Sequence, residues 1–108
     1  MLHAQLTLTS LRWNELDVAI RMATMVVAAR AESPQLDWEI IVHGLGQAER
    51  WSKRGTVITE CVVGVSEDAS LELAAVTGDA FVVRQVDGVT VLRGEGTLDG
   101  FQTSWLQG

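Results

Sequence analysis

The chain has 108 residues, 47% of them apolar and 20% charged, with a formal net charge of −6. That composition describes one globular domain over residues 1–108 and excludes a disordered chain. The negative balance argues against nonspecific binding to nucleic acid or to an anionic membrane surface, and a single cysteine excludes an intramolecular disulfide.

The first element is a strand. In "LHAQLTLT", Leu2, Ala4, Leu6 and Leu8 alternate with His3, Gln5, Thr7 and Thr9, the period of a half-buried strand. No basic residue followed by an apolar run precedes it, so no signal peptide is read and a cytoplasmic location is expected.

Residues 14–30 read as a helix. Asn14, Asp17, Arg21 and Thr24 recur at three and four residues and form one narrow polar stripe; Val18, Ala19, Ile20, Met22, Ala23, Met25, Val26 and Val27 fill the rest. Asn14 would cap the N-terminus, Glu15 and Asp17 suit its positive dipole end, and Pro34 ends the segment. Strand alternation is broken because Arg21 and Thr24 fall on opposite faces, and the alanines disfavour a strand. A membrane span would need about twenty apolar residues, and Arg21 interrupts this run. A helix so apolar around its girth needs cover on more than one side.

Next, "LDWEIIVH" sets Trp38, Ile40 and Val42 on one strand face and Asp37, Glu39, Ile41 and His43 on the other. "GLGQAERWSKRG" carries turn chemistry and is expected as a loop with room for one helical turn. "TVITECVVGV" is apolar on both faces, as a central strand would be. "SEDAS" reads as a turn, "LELAAVT" as a strand despite its helix-compatible residues, and "GD" at 78–79 as a further turn. "AFVVRQV" and "VTVLRGEGTL" flank Asp87-Gly88, the signature of a two-residue type I′ hairpin. That register would pair Val86 with Val89, Arg84 with Val91, Val83 with Leu92 and Phe81 with Gly94. Phe81, Val83, Leu92 and Leu98 would then share one face, and Val82, Val86, Val89 and Val91 the other.

The order strand, long helix, then antiparallel strands resembles folds in which a sheet wraps one central helix, such as the hot-dog fold or a small α+β roll. The resemblance is one of architecture, with no diagnostic motif. The expected fold class is therefore α+β: five to six antiparallel strands wrapped around or packed on the helix at 14–30.

Candidate chemistry is sparse. "GLGQAE" lacks the third glycine of a dinucleotide loop, Glu49 standing in its place, and leaves too little chain for a crossover helix. Cys61 sits in a row with Val57, Thr59, Val63 and Val65, where a thiol is ordinarily an inert core residue. His43 stands at a strand end, a common place for site residues, but about 13 Å along the strand from Glu39. Glu60 lies beside Ile58 and Val62; buried, it would titrate high enough for acid–base work. Those three are the weak catalytic candidates. His3 and His43 have no Cys or carboxylate at metal-ligand spacing, so no metal or cofactor is expected. The basic run Arg50 to Arg54 around Trp51 is short in an acidic chain, which favours a solvated loop or an acidic protein partner over nucleic acid. Trp13, Trp38, Trp51 and Trp105 could fill core or line a pocket.

The expected role is a self-associating binding or assembly domain, most simply a dimer. Val82, Val86, Val89 and Val91 together with Phe101, Trp105 and Leu106 are the interface candidates. The competing arrangement docks the tail on its own body. The enzyme alternative is a hot-dog-like or roll-like domain acting on a small apolar or acyl ligand, marked by a tryptophan-lined cavity holding His43, Glu60 or Cys61.

Overall fold

The structure, a computed structural model, describes residues 2–30, 35–44, 52–65 and 70–107. The strands are β1 (Leu2–Trp13), β2 (Leu16–Asp17), β3 (Ile20–Ala29), β4 (Leu36–Gly44), β5 (Arg54–Val65), β6 (Ser70–Val86) and β7 (Val89–Asp99). Neighbours run β1-β3-β4-β7-β6-β5, and β5 pairs back onto β1, closing a six-stranded antiparallel barrel with β2 as a short continuation beside β1. The first three long strands follow one another, and β5 then returns to lie beside β1: a Greek-key connection.

The α+β expectation is therefore corrected. Among the described residues the only helical turn is a 3-10 turn at Thr103–Trp105, and the segment expected as a helix at 14–30 is a hairpin and two strands. The roll or hot-dog-like scaffold falls with it.

Two local devices explain the error. Asn14 and Glu15 adopt φ of 51° and 69°, so they form a two-residue turn with the left-handed geometry of type I′ instead of capping a helix. The β3–β4 register then shifts between Ile20 and Met22. That bulge turns Arg21 out to solvent and resets the phase, after which Ala23, Met25 and Val27 are buried while Met22 and Val26 face out. One extra residue was enough to make a strand look helical. Alanine, unfavourable in an open strand, suits the crowded interior of a small barrel, where Ala4, Ala23 and Ala80 lie fully or almost fully buried. Burying Met25 and Val27 contributes roughly 1.5–3 kcal/mol each.

β1 uses the same device. Its inward side chains are Ala4, Leu6 and Leu8, then Leu11 and Trp13, and the change of parity coincides with a register shift between Leu8 and Ser10 against β5. The expected strand at 2–9 is present and continues to Trp13. β4 buries Trp38, Ile40 and Val42 as its alternation requires. β5 buries Val57, Thr59 and Cys61 but exposes Ile58 and Glu60, so it is central without being covered on both faces.

"LELAAVT" is strand, and the turn expected at Gly78-Asp79 is not formed: β6 runs unbroken through it. The Asp87-Gly88 turn forms with φ of 50° and 80°. Its register holds for Val86↔Val89 and Arg84↔Val91, then slips at Val83, so that Val82 faces Leu92, Phe81 faces Arg93 and Ala80 faces Gly94. Phe81 opposite Gly94 and Val83 opposite Leu92 are corrected accordingly. Gly94 is still covered by an aromatic ring, but the ring belongs to Trp38 on β4. The loop expected across 44–55 and the turn at "SEDAS" lie largely outside the described residues.

Candidate functional site

The three catalytic candidates are not brought together. β4 and β5 stand on opposite walls of the barrel. His43 is half-buried on the outside of β4, Glu60 is exposed on the outside of β5, and Cys61 is fully buried inside it. The Cys61 thiol lies 3.4 Å from the Ala74 carbonyl, to which it donates, and burial pushes its pKa up. A thiol held neutral in this way is a poor nucleophile. Trp13 and Trp38 are buried in the core, and Trp38 borders a groove beside Glu39 and Arg93, while Trp51 lies outside the described residues. Among the described residues there is no group of three or more His, Cys, Asp or Glu side chains placed to hold a metal. No helix of the described residues is long and apolar enough to cross a membrane.

What the barrel does gather is an apolar outer face. The cross-strand registers place Met22, His43, Val89 and Val86 in one row over β3, β4, β7 and β6. The next row is Thr24, Ile41, Val91 and Arg84, and the third begins Val26, Glu39, Arg93. Met22, Val26, Ile41 and Val86 are exposed by 53%, 38%, 37% and 54%. Four strands about 4.8 Å apart and three rows about 7 Å apart span on the order of 400 Å² in projection. Polar side chains (His43, Thr24, Arg84, Glu39 and Arg93) interrupt every row, so the apolar part of that area is smaller.

A groove of about 320 Å³ adjoins the third row, between Val26 and Ala28 on one side and Arg93 and Gly94 on the other. Its rim is ionic but balanced: Arg30 Nε lies 2.9 Å from Asp37 Oδ2, and Arg93 Nη2 lies 3.9 Å from Glu39 Oε1. The groove exists because β4–β7 pairing ends at Glu39↔Arg93. Beyond that point β7 carries extra residues relative to β6, with Gly96 at a φ of 96°. The Trp38 indole closes the gap from inside and donates its N–H to the Gly96 carbonyl at 3.3 Å.

The interface candidates divide. Val86, Val89 and Val91 belong to the outer rows. Val82 packs against the core, and Phe101, Trp105 and Leu106 pack half-buried against the barrel. Phe101 and Trp105 meet edge to face, 5.1 Å apart at 85°. Met22, Val26 and Ile41 are additional. Ile41 was visible in the alternation of β4, opposite Trp38, but Met22 and Val26 were hidden by the helical pattern.

Comparison with family models, with curated proteins and with solved structures found no match.

Proposed function

We propose that the protein is an assembly module that pairs with a second copy of itself through the outer face of β3, β4, β7 and β6. The observation that carries this is the clustering of apolar side chains on that face: Ile41, Val91, Val89 and Val86 adjoin across β4, β7 and β6, with Met22 and Val26 diagonal to Ile41 on β3. Charge favours a second copy at this place. The chain as a whole bears −6, which repels its like, whereas this face holds Arg30, Arg84 and Arg93 against Asp37 and Glu39, a formal surplus of one positive charge. Two copies meeting there oppose nearly balanced faces, so the repulsion across the contact is small. Two sheets packed face to face in aligned fashion place apolar rows at the centre and ion pairs at the rim. The simplest closed form is a two-fold dimer. The lone buried thiol suits a reducing compartment, and a cytoplasmic location is part of the same proposal.

Sedimentation at micromolar concentration tests the proposal. The expected species has twice the chain mass of 11.7 kDa. Ile41→Asp and Val86→Asp place a carboxylate in the rows and are expected to yield a folded monomer. A wild-type monomer of 11.7 kDa would overturn the assembly.

A further inference from the structure

We infer that the edge of β1 between His3 and Thr7 docks an extended, basic segment of another protein, which adds to it as an antiparallel strand. This edge is apart from the outer face proposed above and does not depend on it. β5 pairs with β1 only from Thr7 to Trp13, so the first residues of β1 have no strand on that side. The segment after β7 takes part of that place. It leaves Asp99, turns at Gly100 with a φ of 91°, and meets β1 at His3. The His3 N–H donates to the Gln107 carbonyl at 2.9 Å, and the Gln107 N–H donates to the His3 carbonyl at 2.8 Å.

The next rung is open. Backbone groups of alternate residues in an antiparallel strand point to the same edge, so the N–H and C=O of Gln5 point the same way as those of His3. Among the described residues nothing pairs with Gln5 on that edge. In an antiparallel partner the residue facing Gln5 is the second before the one facing His3, and in this chain that residue is Trp105. Trp105 instead ends the 3-10 turn Thr103–Trp105. Its N–H donates to the Gln102 carbonyl at 3.0 Å, the Leu106 N–H donates to the Thr103 carbonyl at 3.1 Å, and the chain bends away from β1. A straight strand would bond to Gln5 as well as to His3.

The present contacts show what such a strand must carry. His3 and Gln5 are exposed, and Ala4 between them is buried. Side chains of directly opposed residues share a face, so the partner presents polar groups opposite His3 and Gln5 and an apolar group opposite Ala4. Leu106 fills that middle place here and packs half-buried against the core. The chain's net charge of −6 favours a partner segment of positive charge. Strand addition of this kind takes affinity from main-chain bonds and specificity from the alternate side chains. Because the partner replaces residues 105–107, the chain's own segment competes with it and lowers its apparent affinity.

The probe is the peptide Lys-Val-Thr-Leu-Gln-Lys with blocked ends, titrated into the whole chain and followed by nuclear magnetic resonance and amide hydrogen exchange. Saturable binding is expected, with the Gln5 amide slowed at least about tenfold, the Gln107 amide released and the His3 amide still protected. Replacing the peptide leucine by serine should weaken binding about tenfold. Leu106→Ala, which loosens the competing segment, should tighten it by about the same factor. A Gln5 amide already protected in the free chain, no saturation at millimolar peptide, or binding that leaves Gln5 exchanging as before would each overturn the site. A serine peptide that binds as well as the leucine peptide would overturn it too.

Discussion

Trp13 and Trp38 seal two different openings of the barrel, and they do it by different means. Trp13 closes the seam where β5 returns to β1. Its ring lies over Gly55, where a Cβ would fall 2.7 Å from Cε2, and its indole N–H donates to Ser52 Oγ at 3.0 Å. Around it runs a polar net. Asn14 Nδ2 also donates to Ser52 Oγ at 2.9 Å, Ser52 Oγ donates to the Arg54 carbonyl, and Asn14 Oδ1 accepts the Thr56 N–H at 2.8 Å. The crossing segment is tied down once more where the Val82 N–H donates to the Lys53 carbonyl at 2.9 Å.

Trp38 closes the split between β4 and β7 chiefly by shape. Its ring occupies the space that side chains at 78 and 94 would need, and its one hydrogen bond goes to the Gly96 carbonyl at 3.3 Å. The seam is held by polar groups near solvent; the split is held by a ring in a dry interior. The first should yield in small steps and the second all at once.

The largest effect is expected where shape alone decides. A Cβ at 94 would stand within the Trp38 indole, and Trp38 is only 3% exposed. Gly94→Ala is expected to cost about 3 kcal/mol or more in chemical denaturation. Adding Trp38→Phe should recover part of that loss, and no recovery would mean that the ring is not the obstacle. Gly55→Ala makes the matching change at the seam, where the nearest atoms are the Trp13 ring and the Asn14 amide. The Asn14 amide is exposed and can give way, so about 1–2 kcal/mol is expected. An equal loss at the two glycines would erase the distinction.

A step smaller, Asn14→Ala removes the acceptor of the Thr56 N–H and a donor to Ser52, and places alanine at a φ of 51°. About 1–2 kcal/mol is expected from denaturant titration. Ser52→Ala, which leaves the turn geometry alone, should cost less, about 1 kcal/mol. Asp87→Ala tests the other turn of the same geometry, at a φ of 50°, where the backbone preference is expected to register.

The smallest effect concerns Cys61, which touches neither tryptophan's opening and serves as a control on β5. Its thiol pKa is raised by burial in the folded chain. The stability it contributes is therefore complete below the thiol's unfolded pKa, about 8.5, and declines as the pH rises above that towards the folded value. Cys61→Ala should flatten this alkaline decline in Tm. Alkylation should be slow in buffer and fast in denaturant; rapid alkylation of the native chain would show the interior to be open.

The two hairpins show how far sequence carries. Asp87-Gly88 was legible because glycine at positive φ is a local preference. Asn14-Glu15 has the same geometry and was not, because the net that holds it comes from Ser52 and Thr56, some forty positions on. The candidate site divides in the same way. Val86, Val89 and Val91 could be read from the hairpin's alternation, whereas Met22 and Val26 could not, since a bulge opposite His43 and Gly44 sets their phase.

By itself, then, the sequence determined what local periodicity and backbone preference can specify: the strands at 2–9 and 36–43, the Asp87-Gly88 turn, the inward rows Leu6-Leu8 and Trp38-Ile40-Val42, and a surplus of apolar surface. The tertiary structure alone decided that residues 20–29 are a strand, that β5 closes onto β1, and that Gly78 and Gly94 exist for Trp38. The reason is physical. A bulge costs little where it forms and is selected by the strand across from it, and a glycine beneath an indole is a contact between residues distant in the chain. Neither leaves a trace in a window of ten residues.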